Sequence, residues 1–117
     1  MAAAVYNFDI EQGATFSKVV TWYDADGDLV DLTSYTAAMK VKVNEDDITP
    51  VIISSGDSQN LTITLGGALG TITLAMTAAQ TAALTFRTAH YDLELTLSGT
   101  VTRLLKGIIT LDKEITK

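Results

Sequence analysis

The chain has 117 residues, no cysteine, one histidine and a formal charge of −6. That length supports a single domain over residues 1–117 with its own core, and the lack of cysteine excludes disulfides and thiolate chemistry. The acidic balance argues against nucleic acid, whose phosphates call for a basic stripe, and no apolar run approaches the ~20 residues that span a bilayer.

Taken in chain order, Val5 to Glu11 alternates Tyr6, Phe8 and Ile10 against Asn7, Asp9 and Glu11, the period of a half-buried strand. Gln12-Gly13 interrupts it. Thr15 to Tyr23 resumes with Phe16, Val20 and Trp22 on one side, broken by Lys18, and Val19 and Tyr23 on the other. Asp24-Ala25-Asp26-Gly27-Asp28 then predicts a hairpin turn, with Leu29 to Leu32 as the returning strand. After a corner at Thr33-Ser34-Tyr35, Ala37, Met39, Val41 and Val43 point inward against Ala38, Lys40 and Lys42, a strand with one wet face.

Asn44 to Pro50 is an acidic loop, Val51 to Ser54 a brief strand, and Ser55 to Asn60 a connection. Leu61, Ile63 and Leu65 alternate with threonines. Ile72, Leu74 and Met76 repeat that arrangement, so the two runs pair as a hairpin across Gly66 to Leu69. Thr77 with Gln80 three residues on is a capping-box pattern, and the alanines between favour one short helix. Tyr91, Leu93, Leu95 and Leu97 form the next buried face. Ser98-Gly99-Thr100 turns the chain into Val101 to Leu111, which is apolar on both faces: central in a sandwich, or paired against another chain. Gly107 within it marks a bulge or a close backbone approach. Some seven to nine strands, roughly 8–12 residues apart, read as an all-β, antiparallel β-sandwich of immunoglobulin-like architecture with one short helix.

Few residues suggest chemistry. Asp24, Asp26 and Asp28 place three carboxylates at alternating positions, a calcium candidate, although the glycine is fourth and Tyr35 stands where an EF-hand loop has its bidentate Glu. The other reading is a solvated turn. His90 has neither a second histidine nor a cysteine for a metal site, and no Gly-x-Ser-x-Gly elbow is present for nucleophilic catalysis. Trp22 is a core anchor or, with Tyr23 and Tyr35, a sugar-stacking platform. Lys40 and Lys42 make a solvated edge. Asn60-Leu61-Thr62 matches the N-glycosylation triplet, but Met1-Ala2-Ala3-Ala4 lacks the basic start and apolar stretch of a secretory signal. Synthesis in the cytoplasm is the expectation. No cofactor motif is found.

The order of these segments resembles small structural proteins of tailed bacteriophages. "YNFDIEQGATFSKVVTWYDADGDLVDLTSYTAAMKVK" is similar to their opening half, through Gln12, Gly13, Trp22, Asp26, Gly27, Asp31, Leu32, Thr33, Tyr35 and Thr36. "GTITLAMTAAQTAAL" followed by "YDLELTLSG-VTRLLKGIITL-KEIT" is similar to the closing half, through Tyr91, Asp92, Leu93, Gly99, Arg103, Leu104, Gly107 and Thr116. It also resembles the immunoglobulin-like N-terminal domain of the phage baseplate upper protein, which attaches receptor-binding machinery to the tail.

The resemblance implies a multicopy, non-enzymatic virion component, made in the host cytoplasm and homo-oligomeric in the particle, with other virion proteins as partners and neither nucleic acid nor membrane. A tail-tip or baseplate adaptor is the first expectation and a capsid decoration protein the second. A carbohydrate-binding module is the third. Val101, Leu104 and Ile108 of the doubly apolar strand, with Val5 of the N-terminal arm Met1 to Val5, are the expected subunit contacts.

Overall fold

The computed structural model describes residues 4–54 and 59–115. Within them, the period-two segments become nine strands: β1 (Ala4–Val5), β2 (Phe8–Glu11), β3 (Phe16–Thr21), β4 (Thr36–Lys42), β5 (Ile52–Ile53), β6 (Thr62–Leu65), β7 (Thr71–Met76), β8 (Thr88–Leu97) and β9 (Thr100–Asp112). They form two sheets. The larger has the order β1-β9-β8-β4-β5, with β2 also on β9, and the smaller has β3-β7-β6. Alternate side chains of both sheets close over one interior, where Ile10, Met39, Ile52, Ile72, Leu74, Leu93, Leu95 and Ile109 are buried. The result is an all-β sandwich of a six-stranded and a three-stranded sheet. Among the described residues the one α-helix, α1 (Ala78–Ala82), carries the expected capping box between Thr77 and Gln80.

Not every pairing is antiparallel. β1 and β2 run parallel to β9, with Ala4 beside Leu105 and Phe8 beside Ile109. A parallel pair needs a long connection, and here nearly the whole chain supplies it. Local alternation carries no information about so distant a partner.

The last strand explains its own doubly apolar pattern. Leu93 pairs with Leu105 but Glu94 pairs with Arg103, so Leu104 is an extra residue, a β-bulge. Before it Thr102 faces the same way as Leu95; after it Leu105, Ile109 and Leu111 face inward. The inward phase switches from even to odd positions, and both faces therefore look oily in sequence. β9 is accordingly central in its sheet, between β8 and the N-terminal strands.

Gly107 is the close approach rather than the bulge. A Cβ there would strike the Tyr6 carbonyl oxygen and come within 2.7 Å of Asn7 Oδ1. Asn7 Oδ1 accepts the Ile108 N–H at 2.8 Å. Opposite Gly107 on β8 stands Tyr91, whose hydroxyl donates to the Tyr6 carbonyl and whose ring meets Phe8 edge-on at 5.1 Å. Burial pushes the Tyr91 phenol up to about 12, with the Tyr6 phenol adding to the shift.

Two buried polar side chains fasten the connection after β2 to the helix region and to the segment after β9. Gln12 donates to the Leu84 carbonyl at 2.8 Å and accepts the Glu114 N–H at 2.9 Å. Thr81 accepts the Gly13 N–H at 3.0 Å and donates to the Ala14 carbonyl at 2.8 Å. Each satisfies groups that would otherwise be stranded in the interior.

Two local expectations are corrected. Leu29 to Leu32 is not a strand: only Tyr23 and Leu29 form a bridge, after which the chain crosses between sheets, Leu32 is buried and its N–H donates to the Gly67 carbonyl at 2.9 Å. Val43 lies past the end of β4 and is 39 % exposed, because the alternation outlives the pairing that gives it meaning.

Candidate functional site

The outward faces of the two sheets differ in chemistry, and the candidate contact residues divide between them. On the larger sheet, the register sets Lys40 beside Asp92 and Asp92 beside Lys106. The next row holds Lys42, His90 and Ile108, and the row on the other side holds Glu94 and Arg103. Arg103 Nε lies 3.5 Å from Asp92 Oδ2, and His90 Nδ1 lies 4.0 Å from Glu45. This face contains an open depression of about 740 Å³ lined by Val5, Lys40, His90, Asp92, Lys106 and Ile108, among others. Opposite charges directly across a sheet stabilise it modestly.

Of the four expected contact residues, the structure brings two together. Val5, at 68 % exposure, and Ile108, at 40 %, flank Lys106 on this depression. Val101 is exposed near the Ser98-Gly99 turn, farther along β9. Leu104 is the bulge residue and packs partly against the core, so its side chain is committed internally. Residues 1–3 of the N-terminal arm lie outside the described residues.

The smaller sheet is different. Ser17, Val19 and Thr21 of β3 face outward, beside Ala75, Thr73 and Thr71 of β7; Thr62 and Thr64 of β6 complete the rows. β6 and β7 contain no charged residue. The one charge on β3, Lys18, points the other way, its ammonium 5.1 Å from the centre of the Tyr6 ring. That placement accounts for the lysine that interrupts an apolar face, through a cation–π contact and a long apolar stem. At the end of the same face, the bridge sets Tyr23 beside Leu29, and Leu69 follows one residue before Gly70, whose carbonyl accepts the Trp22 N–H. Tyr23, Leu29 and Leu69 are 58 %, 45 % and 65 % exposed.

The acidic turn is self-contained. Asp24 Oδ1 accepts the N–H groups of Asp26 and Asp28 at 2.9 and 3.0 Å, an Asx arrangement that needs no cation. Among the described residues, no group of three or more His, Cys, Asp or Glu converges in a way that could hold a metal ion, so the structure does not gather Asp24, Asp26 and Asp28 into a calcium site. Asp31 caps the following corner by accepting from the Thr33 N–H and hydroxyl, and these bonds lower its pKa.

The other singled-out residues have structural roles. Trp22 packs against the core and meets Tyr35 edge-on at 5.7 Å. Asn60 accepts the Ile53 N–H at 2.8 Å and donates to the Val51 carbonyl at 3.1 Å, pinning β5 with both ends of its amide. The uncharged face escaped the sequence reading, although its signal is visible: Thr62, Thr64, Thr71 and Thr73 alternate with core residues.

No family model matches the chain, and no curated protein matches it either.

Proposed function

We propose that this protein is a non-enzymatic structural component of a tailed-phage particle, an adaptor in the tail tip or baseplate that holds receptor-binding proteins and is present in several copies. The observation that carries the reading is where the phage-like residues fall in the fold. Gln12 and Gly13 sit at the buried polar tie, Gly27 and Gly99 occupy left-handed turn positions, Leu32 is in the core, and Tyr91 and Gly107 form the crossing under the N-terminal strand. The resemblance therefore includes residues that shape this sandwich, alongside exposed ones such as Asp26, Asp31, Thr33, Thr36 and Arg103. The division of the outside into a charged face and a hydroxyl-rich neutral face suits a building block that meets water on one side and neighbours on the other.

The test is the composition of the particle. Virions made by the genome that encodes this chain are purified and separated into tails and capsids, and each fraction is analysed by mass spectrometry. The adaptor reading expects the chain in the tail fraction. Recovery with capsids alone replaces it by the decoration role, and absence from both fractions ends the structural reading altogether.

A further inference from the structure

We propose that the outward face of the three-stranded sheet is a self-docking surface, which packs against the same face of a second copy of this chain. The inference stands on the face itself and does not depend on the phage reading.

Charge is the first argument. The chain carries 14 acidic and 8 basic side chains for a net −6, so two copies repel on approach. They meet at least cost where neither presents a charge that must be desolvated. Strands β3, β6 and β7 place no charged side chain on this face. By contrast, the larger sheet offers Lys40, Asp92, Glu94, Arg103 and Lys106, whose burial would strip water from each.

Shape and polarity are the second. Stacked sheets sit ~10 Å apart with strands within about 30° of each other, and small side chains allow that approach. Here the centre is Val19, Thr64 and Thr73, and each threonine hydroxyl both donates and accepts. An identical face can therefore satisfy it, whereas a purely apolar partner would leave it stranded. Tyr23, which follows Thr21 in the outward alternation of β3, and its bridge partner Leu29 are both exposed at one end of the face and supply the apolar contribution.

Area sets the strength. Three strands ~4.8 Å apart, of 6, 4 and 6 residues at ~3.3 Å each, give a projected patch of roughly 250 Å². Corrugation, Tyr23 and Leu29 enlarge this, yet it stays below the ~800 Å² per partner of a standard interface. The pair belongs to the weak class of contacts.

The experiment is sedimentation equilibrium of the purified full chain from about 10 µM to 1 mM, at low salt and at about 0.5 M NaCl. The expected result is a monomer–dimer equilibrium that tightens several-fold with salt, because salt screens the repulsion between two acidic molecules and the contact contains no ion pair to weaken. Val19→Glu and Thr64→Glu, both at exposed positions, are expected to weaken it at least ~10-fold with the melting temperature little changed. Asp92→Asn and Arg103→Gln are expected to leave it within about twofold. Amide chemical shifts of the unmodified chain on dilution should move in β3, β6 and β7, which checks the surface without any variant. A monomer at 1 mM under both conditions overturns the proposal and assigns the face to a different occupant. So does dimerisation that weakens with salt, or shifts confined to β8 and β9.

Discussion

The two outer faces of this sandwich share one interior but answer to different surroundings. On the larger sheet the outward residues are paired by charge across the strands, Lys40 with Asp92, Asp92 with Lys106 and Glu94 with Arg103. Such pairs are at ease in water and costly to cover. On the smaller sheet the outward residues are hydroxyls and small apolar groups, which lose little when covered. Inward-facing positions would not distinguish the sheets, since both contribute the same kind of aliphatic side chain. The difference teaches that alternation sets the fold, while the chemistry of the outward half decides what each face can touch.

The strongest way to break the comparison is to cut the interior that holds the two faces back to back. Leu74 lies on the middle strand of the smaller sheet and is 1 % exposed. Leu74→Ala should cost about 2–5 kcal/mol, through lost burial and the cavity left behind, measured by urea unfolding. A smaller effect is expected at the margin of the larger sheet. Gly107→Ala places a methyl against the Tyr6 carbonyl and Asn7, and overpacking of this kind costs about 1–3 kcal/mol. Hydrogen exchange should locate the damage, with amides of β1 and β2 losing protection before those of β3, β6 and β7. Uniform loss in both sheets would mean that the N-terminal strands are not a separable margin.

Much of this was legible in the residues, for a physical reason: strand faces, turns and caps are written within a few positions of one another. The Thr77–Gln80 capping box, the hairpin across Gly66 to Leu69 and the tight reversal at Ser98-Gly99 all occur where local chemistry places them. What depends on distant partners was not legible. The parallel seat of Phe8 beside Ile109 joins segments about a hundred residues apart, and the Leu104 bulge shows only once the β8 register is known. Asp24 to Asp28 departs from an ion loop in its glycine position and in Tyr35, which favours a turn, but the bonds from Asp26 and Asp28 to the Asp24 carboxylate show only in the folded chain. The neutral face was hidden for the same reason. Thr64, Thr73 and Val19 are scattered in sequence and become one row only through pairing.

A sharper probe of the larger sheet is the phenol under its N-terminal strand. Tyr91→Phe removes the donor to the Tyr6 carbonyl and should cost about 1 kcal/mol near neutral pH. An unfolded phenol ionises near pH 10, whereas in the folded protein Tyr91 holds its proton up to about 12. Between those values the unfolded chain releases a proton that the folded one keeps. The contribution is therefore complete below pH 10 and is lost as pH rises towards 12. Denaturation curves across that window should fall more steeply for the unmodified chain than for Tyr91→Phe. Parallel curves would mean that the hydroxyl is open to solvent.

The smallest effect tests whether the charged face is a water face at all. Arg103 and Asp92 are 55 % and 39 % exposed at a separation of 3.5 Å, and exposed pairs of this kind couple by about 0.2–1 kcal/mol. A double-mutant cycle with Arg103→Ala and Asp92→Ala should return a coupling in that range at low salt and nearly none at about 0.5 M NaCl. A coupling of about 2 kcal/mol or more that survives salt would show two charges already shielded from water. The contrast between the faces would then fail, because a pair held that tightly can be covered with little further loss, and the larger sheet would become the better docking surface.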